Sequence, residues 1–559
     1  MRASVVWGVL ACGVALAGCT GSGAREDDKK DVVERATEPV AVKVVAFNDL
    51  HGHMEGPSGK VEVKGERVEA GGLDAFAAHL AAMRAKNTNT AVVCAGDLVG
   101  ASPLISALFH DEPTVEAMNL MEIDFVAVGN HEFDEGVAEL ERLQSGGCHP
   151  EDGCQGKESF EGARFGFLAA NVVVKETGKK LFPAHAVREY GGVKVGFIGL
   201  TLEGTPQSVT PSAVEPVRFL DEAEAINASV AELKGQGVEA IVVIVHEGGY
   251  PEAKIEDVND CPGISGPIVA INAALDPAVD VMVTGHTHQA YNCELEGRLV
   301  TSAKSYGRVL TEIDLKVDPK TGDVVARSAR NVAVTRDVEM DEGLSAHIAR
   351  YRELVAPLAN KPVGELTEDV LRAPDEQGQM PLGVLIADAQ LEATRAVDAG
   401  GAQLALMNPG GVRADLTFAA TEGGVDGQVT FNDLHATQPF NNTLVTMTLT
   451  GAQLRGVLEA MFREGGRNYL LQPSSGFAYT WKEEAPHLVE VTLDGKPLDD
   501  AASYRVTVNS FLADGGDGFA GLKEGTQRQG GAVDLEAFEA FVRARGTIAS
   551  PTQRRVRKK

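Results

Sequence analysis

Five stretches of this chain run apolar and β-branched and then stop on a short polar segment that carries Asp, Asn or His. The segments are Asn48-Asp49-Leu50-His51, Gly96-Asp97, Gly129-Asn130-His131-Glu132, His246-Glu247-Gly248 and Gly285-His286-Thr287-His288. In sheets of parallel strands, ligands bind outside the carboxyl ends. Five such ends in one domain therefore predict that these side chains converge on one crevice. Neutral imidazoles mixed with carboxylates suit divalent zinc, manganese, iron or cobalt, whereas calcium and magnesium prefer oxygen shells. Two ions about 3.5–4 Å apart need a bridging ligand, and Asp97, alone after its run, is the natural bridge.

The runs themselves are Val42–Phe47, Ala91–Ala95, Phe125–Val128, Val193–Leu200, Ala240–Val245 and Val279–Val283, separated by Ala-, Leu- and Glu-rich helical stretches. That alternation predicts an α/β domain over residues 41–335 whose strands are buried on both faces. Residues 336–362 read as a helical linker, with Leu344, His347, Ile348, Tyr351 and Leu354 at helical spacing and Pro357 and Pro362 closing it. A second, smaller α+β unit follows over 363–549, and the basic residues of 550–559 read as a solvated tail.

The N-terminus reads as an export signal over 1–18: Arg2, an apolar run, then Leu16-Ala17-Gly18-Cys19, the pattern of a bacterial lipoprotein with Cys19 as the lipidated residue. Residues 19–40 are polar and charged and read as a flexible tether. The expected location is outside the cytoplasm, on the bacterial membrane through the lipid alone, with outer membrane or cell surface favoured. Export makes disulfides possible. Cys148–Cys154 and Cys261–Cys293 are the candidate pairs, and Cys94 a buried free thiol.

The net charge is −29, which argues against a nucleic-acid polymer as partner, because phosphate backbones demand a positive footprint. It also repels small phosphates, so a phosphate site here needs local cations. No obligate protein partner is implied.

With these motifs in view, the chain resembles the bacterial 5′-nucleotidase and UDP-sugar hydrolase family of calcineurin-like metallophosphoesterases, which also contains 2′,3′-cyclic-nucleotide phosphodiesterases. The resemblance runs from about Val42 to Arg545. It implies a four-layer β-sandwich with flanking helices, joined by a helix to a substrate-binding domain. It implies one metal held by Asp49, His51, Asp97 and His288, and another by Asp97, Asn130, His246 and His286. His131 would face the phosphoryl group as a catalytic group paired with Asp134. In the second domain, Asn408 and Arg413 match substrate-binding residues, Phe440 and Phe511 an aromatic clamp around the base, and Asp517 an acceptor for ribose hydroxyls.

The expected function is hydrolysis of nucleotides to nucleoside and phosphate. Its rivals are a cyclic-nucleotide phosphodiesterase with 3′-nucleotidase activity, a UDP-sugar hydrolase, and a silent surface-binding protein. The full set of metal-site residues argues against the last. One departure stands out: many relatives carry Glu and Asn where this chain has Gln379 and Val384, and Arg372 is the nearest stand-in for a phosphate-binding arginine. His53 and Glu132 are given a structural role, as are the scattered His79, His110, His149, His185, His347, His435 and His487.

Overall fold

A computed structural model describes residues 38–420, 424–463 and 468–559. The signal sequence, Cys19 and most of the tether lie outside the described residues.

The N-terminal domain is two six-stranded sheets packed face to face. Strand Val40–Phe47 lies beside Thr90–Cys94, Phe125–Ala127 and Gly166–Leu168, all parallel, with Val309–Val317 and Val324–Ala333 added antiparallel. In the other sheet Val193–Leu200, Ala240–Val245, Val281–Thr284 and Arg298–Ala303 are parallel. Side-chain alternation explains the layers. Val42, Val44, Ala46, Ala91 and Val93 point into the space between the sheets against Val195, Phe197, Val242 and Val283. Their neighbours Val45, Phe47, Val92 and Cys94 point outward under helices such as Leu73–Arg84. On the far side Ile198, Ile241, Val243 and Met282 do the same under helix Glu222–Gly235. The result is helix, sheet, sheet, helix, with the central strands of both sheets buried on both faces.

Helix Glu342–Ala359 follows, its first turn capped by Asp341, whose side chain accepts from the Leu344 amide. Leu344, Ile348, Tyr351 and Val355 bury against the N-terminal core, whereas Leu354 is 46% exposed. Pro357 lies inside the last turn rather than ending the helix.

The C-terminal unit has a five-stranded sheet whose middle strands are Leu404–Met407, Ser503–Asn509 and Thr443–Thr450, backed by helices Pro381–Thr394 and Asp534–Arg545. A four-stranded sheet packs nearby, and its edge corrects the reading of the basic tail. Val556–Lys558 pairs in parallel with Phe477–Trp481. Arg555 is buried and donates to both oxygens of Asp388 at 2.8 Å. The tail is thus a sheet edge held by an ion pair, because Val556 is a core residue and Arg555 is buried beside it, while Arg554, Arg557, Lys558 and Lys559 stay exposed.

The two cysteine pairs, Cys148–Cys154 and Cys261–Cys293, are disulfide-bonded, and Cys94 is a free, buried thiol. Among the described residues no helix is long and apolar enough to cross a membrane.

Candidate metal centre and substrate cavity

Each ligand candidate leaves the carboxyl end of a strand, and the two sheets aim these ends at one another. Asp49 and His51 follow Val40–Phe47, Asp97 follows Thr90–Cys94, and Asn130 follows Phe125–Ala127. From the second sheet come His246, after Ala240–Val245, and His286 and His288, after Val281–Thr284. Ligand atoms of Asp49, His51 and His288 lie within 4.8 Å of one another, as do those of Asp97, His246 and His286.

Hydrogen bonds fix which imidazole nitrogens face inward. His51 Nδ1 lies 2.9 Å from the Gly100 carbonyl and His246 Nδ1 lies 2.7 Å from the Ala95 carbonyl. A carbonyl only accepts, so both Nδ1 atoms carry a proton, and each Nε2 is left to give its lone pair to a cation in place of a second proton. The His51 Nε2 then meets His288 Nε2 at 3.1 Å. The His246 Nε2 meets Asp97 Oδ2 at 3.0 Å and Asn130 Oδ1 at 3.1 Å. Imidazole nitrogens, a carboxylate and an amide oxygen converging at these distances, in a buried place, need positive charge between them, from protons or from metal cations. This donor set therefore fits divalent metal.

The electrostatics agree. Burial, with Asp97 adding to it, pushes the Asp49 carboxyl up to about 7. Burial alone would lower His246, but the Asp97 and Asp49 carboxylates outweigh it and lift the imidazole to about 10. A positive charge is wanted there.

Glu132 has a larger part than sequence reasoning assigned. Its carboxylate, 3% exposed, accepts the amides of Asp97, Leu98, Val99 and Gly129. It thereby ties the Asp97 loop to the Asn130 loop. Asn48 does the same for Asp49, accepting from the Ala303 amide and donating to the Lys304 carbonyl. His53 stacks on Tyr306 with ring centres 3.9 Å apart, and Tyr306 also meets the edges of His51 and His288. Nothing in the local sequence marked Tyr306.

His131 stands beside this bed with its Nδ1 2.8 Å from Asp134 Oδ2. Burial opposes its charge, but Asp134 and Asp97 prevail, so its pKa is raised above the usual imidazole value. On its other side the ring stacks against Phe440 of the second domain, centres 5.7 Å apart and planes 16° from parallel. The Arg413 guanidinium lies 5.7 Å from the centre of that same Phe440 ring.

A cavity of about 1110 Å³ joins these groups. Asn130, His131 and Asp134 line it from one domain, and Asn408, Arg413, Phe440, Phe511 and Asp517 from the other. Asn408 donates to Asp517 Oδ2 at 2.8 Å and is itself held by Asn509. Burial raises Asp517 to about 6 against the pull of Asn408, Arg463 and Arg413. Arg463 and Tyr469 also line the cavity, with the guanidinium 4.5 Å from the tyrosine ring centre. They have no motif of their own and went unnoticed in the sequence.

The residues that depart from the family pattern lie elsewhere. Gln379 Oε1 accepts the amides of Arg555 and Val556, and Val384 is fully buried in helix Pro381–Thr394. Both serve the docking of the C-terminal strand. Arg372 is exposed, its guanidinium 3.4 Å from the Val412 carbonyl, and it is absent from the cavity lining.

Known proteins show the same architecture. Residues 42–290 match the calcineurin-like phosphoesterase family and residues 362–524 the 5′-nucleotidase C-terminal domain. Endonuclease YhcR of Bacillus subtilis is 34% identical over 499 residues, which is 88% of this chain but only 38% of that protein. Cell wall protein Lmo0130 of Listeria monocytogenes is 32% identical, covering 91% of this chain and 68% of the relative. The crystal structure of a 5′-nucleotidase precursor from Thermus thermophilus superimposes with a TM-score of 0.76 at 28% identity, over 93% of this chain and 99% of that one. With both family domains in order and the metal-ligand clusters in place, the chain belongs to the 5′-nucleotidase family of metallophosphoesterases, metal-dependent hydrolases of phosphoric esters.

Proposed function

We propose that this chain hydrolyses nucleotides to nucleoside and phosphate outside the cytoplasm, using two divalent ions of zinc, manganese, iron or cobalt. One would be held by Asp49, His51, Asp97 and His288, the other by Asp97, Asn130, His246 and His286. Bound there, such ions neutralise the phosphoryl oxygens and supply a nucleophile near neutral pH. The remaining work belongs to side chains of this chain. Arg413 offsets the repulsion that a net charge of −29 imposes on an anion. His131, oriented by Asp134, gives a proton to the leaving oxygen. Phe440 and Phe511 hold the base, and Asp517 accepts from ribose hydroxyls.

The observation that carries this reading is the stacking of Phe440 against His131 across the domain boundary. A phosphate at the metal bed and a flat base on the second domain would share one cavity. The test compares kcat/KM for a nucleoside 5′-monophosphate, a 2′,3′-cyclic nucleotide and a small aryl phosphate, using soluble protein from residue 20 onward. A preference of at least about tenfold, or 1.4 kcal/mol, for the monophosphate over the aryl ester supports the reading, and equal values refute it. Because a relative is named an endonuclease, the cyclic diester is the informative third arm. Its preference would favour a phosphodiesterase.

The location rests on the Leu16-Ala17-Gly18-Cys19 pattern. Cys19→Ser should release the protein from the membrane fraction with specific activity intact, and retention on the membrane would refute a lipid anchor.

A further inference from the structure

Beyond the dyad, one wall of the cavity carries four titratable side chains that phosphoester hydrolysis leaves unused. His110 sits in the turn after helix Leu104–Ala107, and Glu135 directly follows Asp134. His149 and Asp152 are both inside the loop closed by the Cys148–Cys154 disulfide. His110 Nδ1 lies 2.8 Å from Glu135 Oε2, and its Nε2 lies 2.9 Å from Asp152 Oδ2. His149 Nδ1 is 3.7 Å from that same oxygen of Asp152. Ligand atoms of His110, Glu135 and His149 fall within 4.8 Å of one another. Three of the four, His110, Glu135 and Asp152, line the cavity.

We propose that His110, Glu135 and His149 form a third divalent-metal site, of the zinc class, that clips the disulfide loop to the cavity wall, with Asp152 accepting from the other nitrogen of His110 and so orienting it. Two imidazoles and one carboxylate, with a second carboxylate behind one imidazole, are a borderline donor set, suited to zinc and poorly matched to calcium or magnesium. They come from three separate segments, so a shared cation would join parts of the wall that the backbone leaves independent. The disulfide spans six positions and presents the donor His149 together with the supporting Asp152, which lowers the entropy lost on assembling them. His110 is also held at a positive φ of 51°, a conformation that costs a non-glycine residue energy and aims its ring between the two carboxylates.

The place already attracts positive charge. The hydrogen bond to Glu135 raises His110 to about 9 against the effect of burial, with Asp152 and Glu139 adding to it. A metal would take the position of that proton. One adjustment is required: the His110 and His149 rings stack with centres 3.7 Å apart and planes 9° from parallel. The His149 ring must turn out of this stack to direct a lone pair at the shared ion. It sits on a surface loop, so the turn displaces no core residue.

The site is independent of the substrate and of the count of catalytic metals, and the experiment reads a difference. Protein stripped by chelation is dialysed against zinc chloride and its bound zinc counted. The wild type should hold one equivalent more than His149→Ala, and Asp152→Asn should hold that equivalent about 10–100-fold more weakly, with hydrolysis at limiting zinc unchanged in both variants. Reduction of the Cys148–Cys154 disulfide should weaken binding of that extra equivalent. Equal zinc content in wild type and both variants would overturn the proposal and leave His110 as the centre of an ion-pair network only. A failure of the nucleotide reading would lower or alter the totals for all three proteins alike, so the two outcomes are distinguishable.

Discussion

The metal bed and the aromatic face of the cavity are built to different tolerances. Asp49, His51, Asp97, His286 and His288 all have positive φ, between 47° and 68°. Each such residue costs about 1–3 kcal/mol unless its surroundings over-determine it. Here they do, through buried groups such as Glu132 and Asn48 that bond the backbone of these loops. Of the five proposed recognition residues across the cavity only Asp517 shares that strain, at 52°. Phe440 is a half-buried side chain in a turn, and Phe511 a half-buried one on the short helix Ser510–Ala513. Metal coordination tolerates errors of about 0.2 Å, whereas a stacked ring can slide without losing its contact area. Strain is therefore concentrated where geometry must be held, and sparser where a range of bases has to fit.

The sharpest way to break this contrast is Asp97→Ala. As the proposed bridge it contacts both sets of donors, so the variant should bind fewer than two ions and lose nearly all activity while remaining folded. Near-normal turnover would sink the two-metal assignment. Next comes His131→Asn, expected to keep both metals and lower kcat by about 10²–10⁴-fold. The same group sets a pH limb. Its pKa is raised in the fold, so the protonated form persists above the usual imidazole range and activity needing it falls as pH climbs through the raised value. Asp134→Asn should move that limb to lower pH. Loss of metal from the His131 variant would show that it is a ligand instead.

On the tolerant side, Phe511→Ala should raise KM for a nucleoside monophosphate by roughly 5–150-fold, the equivalent of about 1–3 kcal/mol of stacking. Hydrolysis of a small aryl phosphate should hardly change. Equal losses on both substrates, with a large drop in Tm, would make Phe511 a core residue and erase the contrast. The smallest effect belongs to Gln379→Glu. It removes the Nε2 donor to the Gln553 carbonyl, a loss of about 1 kcal/mol of stability, and should leave KM unchanged. A marked shift in KM would return this residue to the phosphate site.

Residue types and their order already carried the chemistry. An Asp, Asn or His after each of five apolar runs could converge only if those runs were parallel strands, and the rule for strand ends then placed them in one crevice. That much is local: it depends on periodicity within a few residues and on what each side chain can ligate. Glu132 could not be read in this way, because its role comes from three amides on the Asp97 loop, which it ties to the Gly129 amide of its own. Nor could Tyr306, Arg463 or the pairing of His110 with Asp152, 42 positions apart. The basic tail misled for the same reason, since charge suggested solvent while Val556 had a place in the core. The meeting of Phe440 with His131 was decided only in three dimensions. Two domains, each complete in its own hydrophobic core, present these rings on loops, and nothing within a loop's own sequence states what it will face. Local pattern determines the donors and the strands, while contacts between distant segments follow from how whole layers pack.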